Sequence, residues 1–394
     1  MPTAPYDSFS PSPDFIPFNR PHLAGPELEY IRQAVTAGKL SGNGEFTQRC
    51  QQFLEQRYGL LKALLTTSGT DALEMAALLL NLQPGDEVIV PSYTFTSTAN
   101  AFVLRGARIV FADSHPDHPN LDVRQVAQLL TPRTRVIVLV HYGGQPAEHM
   151  LELLALAEEH GIWVVEDAAQ AIEARYQDRP LGTFGHLAAF SFHETKNISA
   201  GEGGMLAIND PRFLARAEII WEKGTNRAAF YRGEAARYEW VDLGSSFLAS
   251  ELNAAYLWAQ LEAIDRIQAQ RRYLWERYAA ALAPLAASGA FDLLPQLPAA
   301  QPNWHLFVLL CTDEASRDAL LAYLRQQHIL AVFHYLPLHL SPYYAAQHDG
   351  RQLPHAERYA QTLVRLPLFH DLTDEQQDRI ISAVQTFFRL RLGS

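Results

Sequence analysis

The chain is poor in three things, and each scarcity removes a class of protein. Only two of its 394 residues are cysteine, Cys50 and Cys311, far apart in the sequence. They can build neither a disulfide framework nor a Cys-x-x-Cys metal or redox motif, and they fit a reducing compartment. Long apolar runs are also missing: none approaches the roughly 18 residues that span a bilayer. The opening "MPTAPYDSFSPSPD" holds four prolines and no apolar core of a signal peptide. Basic residues are the minority, 32 against 43 acidic, for a net charge of -11. That balance argues against nucleic acid or an anionic membrane surface as the main partner. The expectation is a cytoplasmic protein with no membrane insertion.

What is present is an α/β pattern. Residues 1–14 read as a flexible, Pro/Ser-rich arm. From 15 to 250 short apolar runs alternate with helical stretches: "ALLT", "DEVIVPSYTF", "ARIVFAD", "TRVIVLVHYGG" and "GIWVVEDAAQ" are strand candidates. "DALEMAALLLNL" is apolar nearly all round and predicts a buried helix. Continuous rather than alternating hydrophobicity predicts a mostly parallel sheet covered on both faces by helices. Residues 251–283 keep helical spacing without Gly or Pro and predict a connecting rod, whole or broken. From 284 to 394 the pattern predicts a smaller C-terminal α+β domain.

In an open parallel sheet, ligands bind beyond the carboxyl ends of the strands, so the places where apolar runs stop carry the chemistry. "ALLTTSGTDAL" stops in a small-residue turn opening a helix, a geometry suited to phosphate; Ser68 or Thr70 could equally be a plain helix cap. "GIWVVEDAAQ" stops at Glu166 and Asp167. Asp167 is either a cap or ion-pair partner, or a carboxylate kept beside a cationic heterocycle. "VIVPSYTF" supplies a serine and aromatic faces. "AAFSFHETKN" stops near His193 and Lys196, where an ammonium is costly to bury. Alone, Lys196 reads as a surface charge; beside the other three ends it reads as an amine that forms a Schiff base with an aldehyde. Phosphate turn, carboxylate, aromatic face and imine-forming lysine together describe a site for pyridoxal 5'-phosphate.

"TSGTDAL", "PSYTFTSTANA", "VEDAAQA", "SFHETKN", "GEGG" and "YLPLH", in that order, resemble the sugar-nucleotide aminotransferases of the DegT/DnrJ/StrS type, a family of fold-type-I pyridoxal phosphate enzymes. The resemblance runs from about Ile16 to the C-terminus. "KLSGNGEFTQRCQQFLEQRYG", "EKGTNR" and "AVFHYLPLH" bring the chain nearest to the dTDP-4-amino-4,6-dideoxygalactose transaminases. The resemblance implies that Lys196 holds the cofactor covalently and shuttles a proton, that Asp167 pairs with the ring nitrogen, and that Gln170 reaches the phenolic oxygen. It places Phe95 on the ring face, and Gly69, Thr70 and Ser191 at the phosphate.

The resemblance also implies L-glutamate as amino donor, a dTDP-keto-deoxysugar aminated at C4 as acceptor, and a homodimer with its sites at the interface. "EKGTNRAAFYRGEAAR" offers Lys223 and Arg227 to a pyrophosphate or is a solvated loop; Tyr335 and His339 are expected at the sugar, with His339 alternatively a structural histidine. Where many relatives carry an asparagine that reaches the partner's phosphate, this chain has Phe247 and Leu248 after Ser245 and Ser246, and that contact stays open. Three rivals stand beside this reading. A dehydratase branch of the same fold bears histidine at the lysine position, which Lys196 argues against. A C3-specific aminotransferase and a non-catalytic pyridoxal phosphate-binding member remain.

Overall fold

A computed structural model describes residues 14–392. The arm expected at the N-terminus therefore lies outside the described residues, Asp14 excepted. A seven-stranded sheet forms the centre: β1 (Lys62–Thr66), β2 (Glu87–Pro91), β3 (Arg108–Ala112), β4 (Thr134–Val140), β5 (Trp163–Asp167), β6 (Leu187–Ser191) and β7 (Gly204–Ile208). Its order is β1-β7-β6-β5-β4-β2-β3. Only β7 runs against the rest, pairing antiparallel with both β1 and β6, while the other neighbours pair parallel.

The sheet is buried on both faces, which explains the unbroken apolar runs. Ala63, Leu65, Ile137, Leu139 and Phe190 look into one core; Leu64, Val88, Val136, Val138 and Ala189 look into the other. The helix Gly69–Leu79 follows β1 and buries Ala72, Leu73, Met75, Ala76, Ala77 and Leu79. That is nearly its whole circumference, because it lies between the sheet and the helix Leu214–Trp221. No helix among the described residues is long and apolar enough to cross a membrane.

The expected rod is two helices, Glu251–Glu262 and Ile264–Ala287, parted at Ala263. The second continues through Pro284, past the point where the composition changes. Beyond it, β8 (Asp292–Leu293), β9 (Phe307–Leu310) and β10 (Leu363–Leu366) form an antiparallel three-stranded sheet. With the helices Glu314–Gln326 and Asp374–Leu392 it encloses a separate apolar core around Tyr278, Phe307, Leu320 and Val384. Ile16 belongs to that core and bridges to Ile329, so the first described residues pack on the C-terminal unit rather than on the large sheet.

Candidate active site

Strand alternation sorts the chemistry at the sheet's rim. Glu166 and Asp167 are adjacent, so their side chains leave β5 on opposite faces. Glu166 turns into the structure, where its carboxylate accepts the N–H of Gly182 (2.7 Å) and Gly185 (2.5 Å) and faces His141 Nε2 at 2.7 Å. Asp167 turns toward a cavity. Its Oδ2 accepts the hydroxyl of Thr98 at 2.7 Å and its Oδ1 the N–H of Ala169 at 3.1 Å. On the neighbouring strand Phe190 and Phe192 are buried in the core behind the sheet, which leaves Ser191 between them to face the same cavity.

Two glycines shape the phosphate-type turn. A Cβ on Gly69 would stand 3.0 Å from Ser191 Cβ and 3.2 Å from the Phe190 carbonyl oxygen. One on Gly204 would fall 2.3 Å from the carbonyl of Ser68. Only bare backbone fits at Gly204, and at Gly69 a side chain would need Ser191 to give way. Ser68 caps the helix by accepting the Asp71 N–H at 3.1 Å, and Thr67 donates its hydroxyl to the Asp71 carboxylate. Thr70 shares a hydrogen bond with Ser97 at 2.7 Å. Among the described residues nothing accepts the N–H of Gly69 or Thr70, so two donors at a positive helix end are left for an anion.

Lys196 follows β6 in a loop held from the next residue. Asn197 Nδ2 donates to the Asn303 carbonyl at 2.8 Å, so its Oδ1 must accept from His305 Nδ1, 2.8 Å away. Lys196 keeps partial exposure at the cavity wall yet is deeply enclosed by protein. Burial pulls its amine down to about 8; the Asp167 charge pushes it back up, and the Arg365 guanidinium adds to the lowering. Gln170 is locked as well: its Oε1 accepts the Gly143 N–H at 2.7 Å and its Nε2 donates to the Tyr335 hydroxyl at 3.1 Å. Tyr335 takes a positive φ of 41°, a strained backbone for a non-glycine residue.

One cavity of about 920 Å³ is lined by Gly69, Thr70, Phe95, Asp167, Gln170, Ser191, Lys196 and Tyr335 together. Three other expected residues are not there. His339 is buried with Ser92 Oγ at 2.7 Å from Nδ1 and Glu357 at 3.5 Å from Nε2, and it does not line the cavity. Lys223 is exposed. Arg227 lies 3.4 Å from Glu222 and lines a second cavity of about 420 Å³ with Lys39 and Lys62. Within one subunit neither cation reaches the lysine. Sequence reasoning missed His305, Thr98 and Arg365. Of these only Thr98 carried a signal, standing one helical turn after the ring at Phe95.

The residues fit pyridoxal 5'-phosphate: free N–H groups at a helix start for the phosphate, a carboxylate and an aromatic ring for the pyridine, and a half-buried amine for the aldehyde. Comparison with known proteins agrees. Residues 21–385 match the DegT/DnrJ/EryC1/StrS aminotransferase family. The chain is 32% identical to the spore coat polysaccharide biosynthesis protein SpsC of Bacillus subtilis over 386 residues, covering 94% of this chain and 96% of that one. Among solved structures, DesV of S. venezuelae superposes with a TM-score of 0.85 at 32% identity, covering 95% of this chain and 98% of that one. The aminotransferase TlmJ of Streptoalloteichus hindustanus gives 0.88 at 30%, covering 95% and 99%. The chain belongs to the DegT/DnrJ/EryC1/StrS family and is a pyridoxal phosphate-dependent sugar aminotransferase.

Proposed function

We propose that this enzyme moves the amino group of L-glutamate to C4 of dTDP-4-dehydro-6-deoxyglucose, giving dTDP-4-amino-4,6-dideoxygalactose and 2-oxoglutarate in the cytoplasm. The observation that carries the reading is a half-buried, easily deprotonated Lys196 sharing one cavity with Asp167 and Gln170. When bound, pyridoxal phosphate supplies an aldehyde for the amine and an electron-withdrawing ring that stabilises charge at the carbon losing its proton.

The protein's share is placement and proton traffic. Gly69 and Thr70 N–H groups, with the Ser191 hydroxyl, would hold the phosphate, and Phe95 would cover one ring face. Asp167, its two oxygens already steadied by Thr98 and Ala169, would pair with the ring nitrogen. Gln170 has a second Nε2 hydrogen for the phenolic oxygen, the first being given to Tyr335. Lys196 Nζ would hold the cofactor. When not holding the cofactor, Nζ would be the base that carries the proton to and from the donor's nitrogen-bearing carbon. With the keto sugar it works in reverse. General acid–base catalysis of this kind contributes about 10² to 10⁴-fold.

The acceptor's charge points to a second subunit. Tyr335 lines the cavity for the sugar, but the cations suited to a pyrophosphate, Lys223 and Arg227, stand elsewhere in the same chain. A homodimer in which each subunit's 222–246 segment reaches the other's cavity would supply them. It would also cover Phe95, which is 57% exposed in one chain.

The test is one assay. Purified enzyme with L-glutamate and dTDP-4-keto-6-deoxyglucose should yield a single amine at C4, with galacto configuration by NMR. An amine at C3, or none from an enzyme that carries its cofactor, rejects the assignment.

A further inference from the structure

The loop after β3 reads "DSHPDHPNLD" (113–122) and sets two histidines three residues apart, each followed by or close to a proline that stiffens the backbone. The loop is pinned from several sides. The His115 N–H donates to the Asn120 carbonyl at 2.8 Å. Asn120 in turn holds the loop after β4: its Nδ2 donates to the carbonyls of Gln145 (2.8 Å) and Pro146 (2.9 Å), and its Oδ1 accepts the Tyr142 N–H at 2.8 Å. From the C-terminal unit, the Tyr359 hydroxyl stands 3.0 Å from the carbonyls of both His115 and Pro116. Glu148 lies at the end of the β4 loop, just before the helix Met150–Glu159.

Inside this frame His115 and His118 stack, with ring centres 4.5 Å apart and planes within 9°. Both are buried. His115 is met: its Nδ1 accepts the Asp117 N–H at 3.1 Å, and its Nε2 faces Glu148 Oε2 at 3.1 Å. His118 is not. It is 4% exposed, and neither of its ring nitrogens has a hydrogen-bond partner among the described residues. A neutral imidazole carries one N–H and one lone pair, so a buried donor and a buried acceptor are both left over, which is costly. Its Nε2 lies 4.0 Å from the same Glu148 oxygen, beyond a hydrogen bond.

A cation between these groups would use that lone pair. The two histidines and Glu148 each offer a ligand atom, all within 4.8 Å of one another. Tetrahedral zinc holds its ligand atoms about 3.4 Å apart, so side-chain torsions must draw the set in by about 1 Å. Two imidazoles and one carboxylate suit zinc better than magnesium or calcium, which prefer oxygen alone. Taking a metal at Nε2 moves the His115 proton to Nδ1. That nitrogen then gives up the Asp117 N–H and turns to the exposed Asp117 carboxylate, 3.9 Å away, the usual outer partner of a metal-bound histidine. The chain's other histidine cluster is less suited, because His22 Nδ1 and His370 Nδ1 already face one Asp371 oxygen at 2.8 and 2.9 Å.

We propose that His115, His118 and Glu148 form a site for a divalent transition-metal cation, zinc by its ligand set, with water as the fourth ligand. None of the three lines the Lys196 cavity, so the site is separate from the aminotransferase centre and its role is structural. It ties the loop after β3 to the loop after β4, whose Gly143 N–H holds Gln170.

The test titrates chelator-treated holoenzyme with zinc chloride and counts the metal by elemental analysis after desalting. Wild type should hold about one zinc per subunit. H118Q should bind it about 100-fold more weakly or worse, and D117A, which removes only the outer partner, about tenfold more weakly. E148Q changes a half-exposed side chain outside the core and should lose affinity with H118Q. Cobalt(II) should give the visible bands of a four-coordinate ion in wild type and in neither of these two variants. H22Q, in the other cluster, should bind as wild type does. Zinc should raise the melting temperature of wild type and leave that of H118Q unchanged, with retained cofactor absorbance showing that the variant is folded. A wild type that takes up no zinc overturns the proposal. So does wild-type affinity in H118Q or in E148Q, or a loss confined to H22Q.

Discussion

At the sheet's rim, Lys196, Asp167 and Gln170 are held by hydrogen bonds within their own chain, down to the residue after the lysine. The segment between Glu222 and Ser246 is built the other way. It closes on itself through Asn226, which bonds the Arg237 carbonyl and the Glu239 N–H, and a bridge from Thr225 to Trp240. Its aromatics face outward, with Tyr231 74% and Trp240 80% exposed. In the proposed homodimer the first region is finished by its own subunit and the second by its partner. The first should therefore report mutations as lost chemistry, and the second as lost assembly and substrate affinity.

The largest effect expected is at the finished region. Lys196→Ala should lower turnover by about 10⁴-fold, the upper range for a single acid–base group that also holds the cofactor. The holoenzyme's lysine-bound visible absorbance should vanish with it. A variant keeping that spectrum would show that another residue holds the cofactor. Asp167→Asn should come next, at about 10² to 10³-fold, and it makes a signed prediction about pH. The neutral amine captures cofactor, so capture by the cofactor-free protein should rise with pH to a plateau with a midpoint near 8, rather than near the ordinary lysine value of 10.5. Because the Asp167 charge raises the Lys196 value, removing it should move that midpoint down. An upward shift would contradict the electrostatics. Linkage gives the matching stability effect. Between about pH 8 and 10.5 the unfolded chain holds the extra proton, so the cofactor-free fold should gain stability as pH rises through that window.

Trp240→Glu probes the unfinished region. A buried interface tryptophan is commonly worth 2 kcal/mol or more, so a charge there should weaken self-association by about 30-fold or more, read by sedimentation. It should raise the KM for the nucleotide sugar while the visible absorbance of bound cofactor stays. Unchanged sedimentation with unchanged KM would place Trp240 outside any contact between subunits and remove the support for a shared site.

The same contrast sets what the sequence could say. The parallel sheet, the helix after β1 and the residues at the rim were legible because each interrupts a regular pattern: a lysine or aspartate ends an apolar run, a glycine opens a helix. Strand alternation also separates Glu166 from Asp167, but which of the two enters the cavity depends on Gly182, Gly185 and Thr98, distant in sequence. Arg365 was illegible because a polar residue inside "LVRLPLF" looks like the wet side of a strand; only the fold turns that side onto the cavity. Lys223 and Arg227 were found as a cluster of charge, yet sequence gives no hint that they stand away from the lysine of their own chain. The break at Ala263 and the helix through Pro284 likewise depend on packing, because the helical spacing is the same on both sides.

His339 gives the smallest expected effect and the sharpest control. In "YLPLH" it looked like a sugar contact, but the structure buries it, and the hydrogen bonds fix its form. Nε2 faces the Glu357 carboxylate, which can only accept, at 3.5 Å, so in the neutral ring Nδ1 accepts the Ser92 hydroxyl at 2.7 Å. Burial lowers the ring's pKa, with Glu357 acting against it, so the fold prefers the neutral form. As pH falls through 6.5 the unfolded chain takes up a proton that the native state resists, and stability drops. His339→Leu strands the Ser92 hydroxyl and should cost about 1–3 kcal/mol in denaturant unfolding; His339→Asn, which keeps an acceptor, should cost less and lose part of the acid sensitivity. Both should leave the KM for the nucleotide sugar within about threefold, below the 1–3 kcal/mol that one binding contact carries. A tenfold rise in that KM at unchanged stability would return His339 to the sugar pocket and mean that the 222–246 segment is not the only part of the site left open in a single chain.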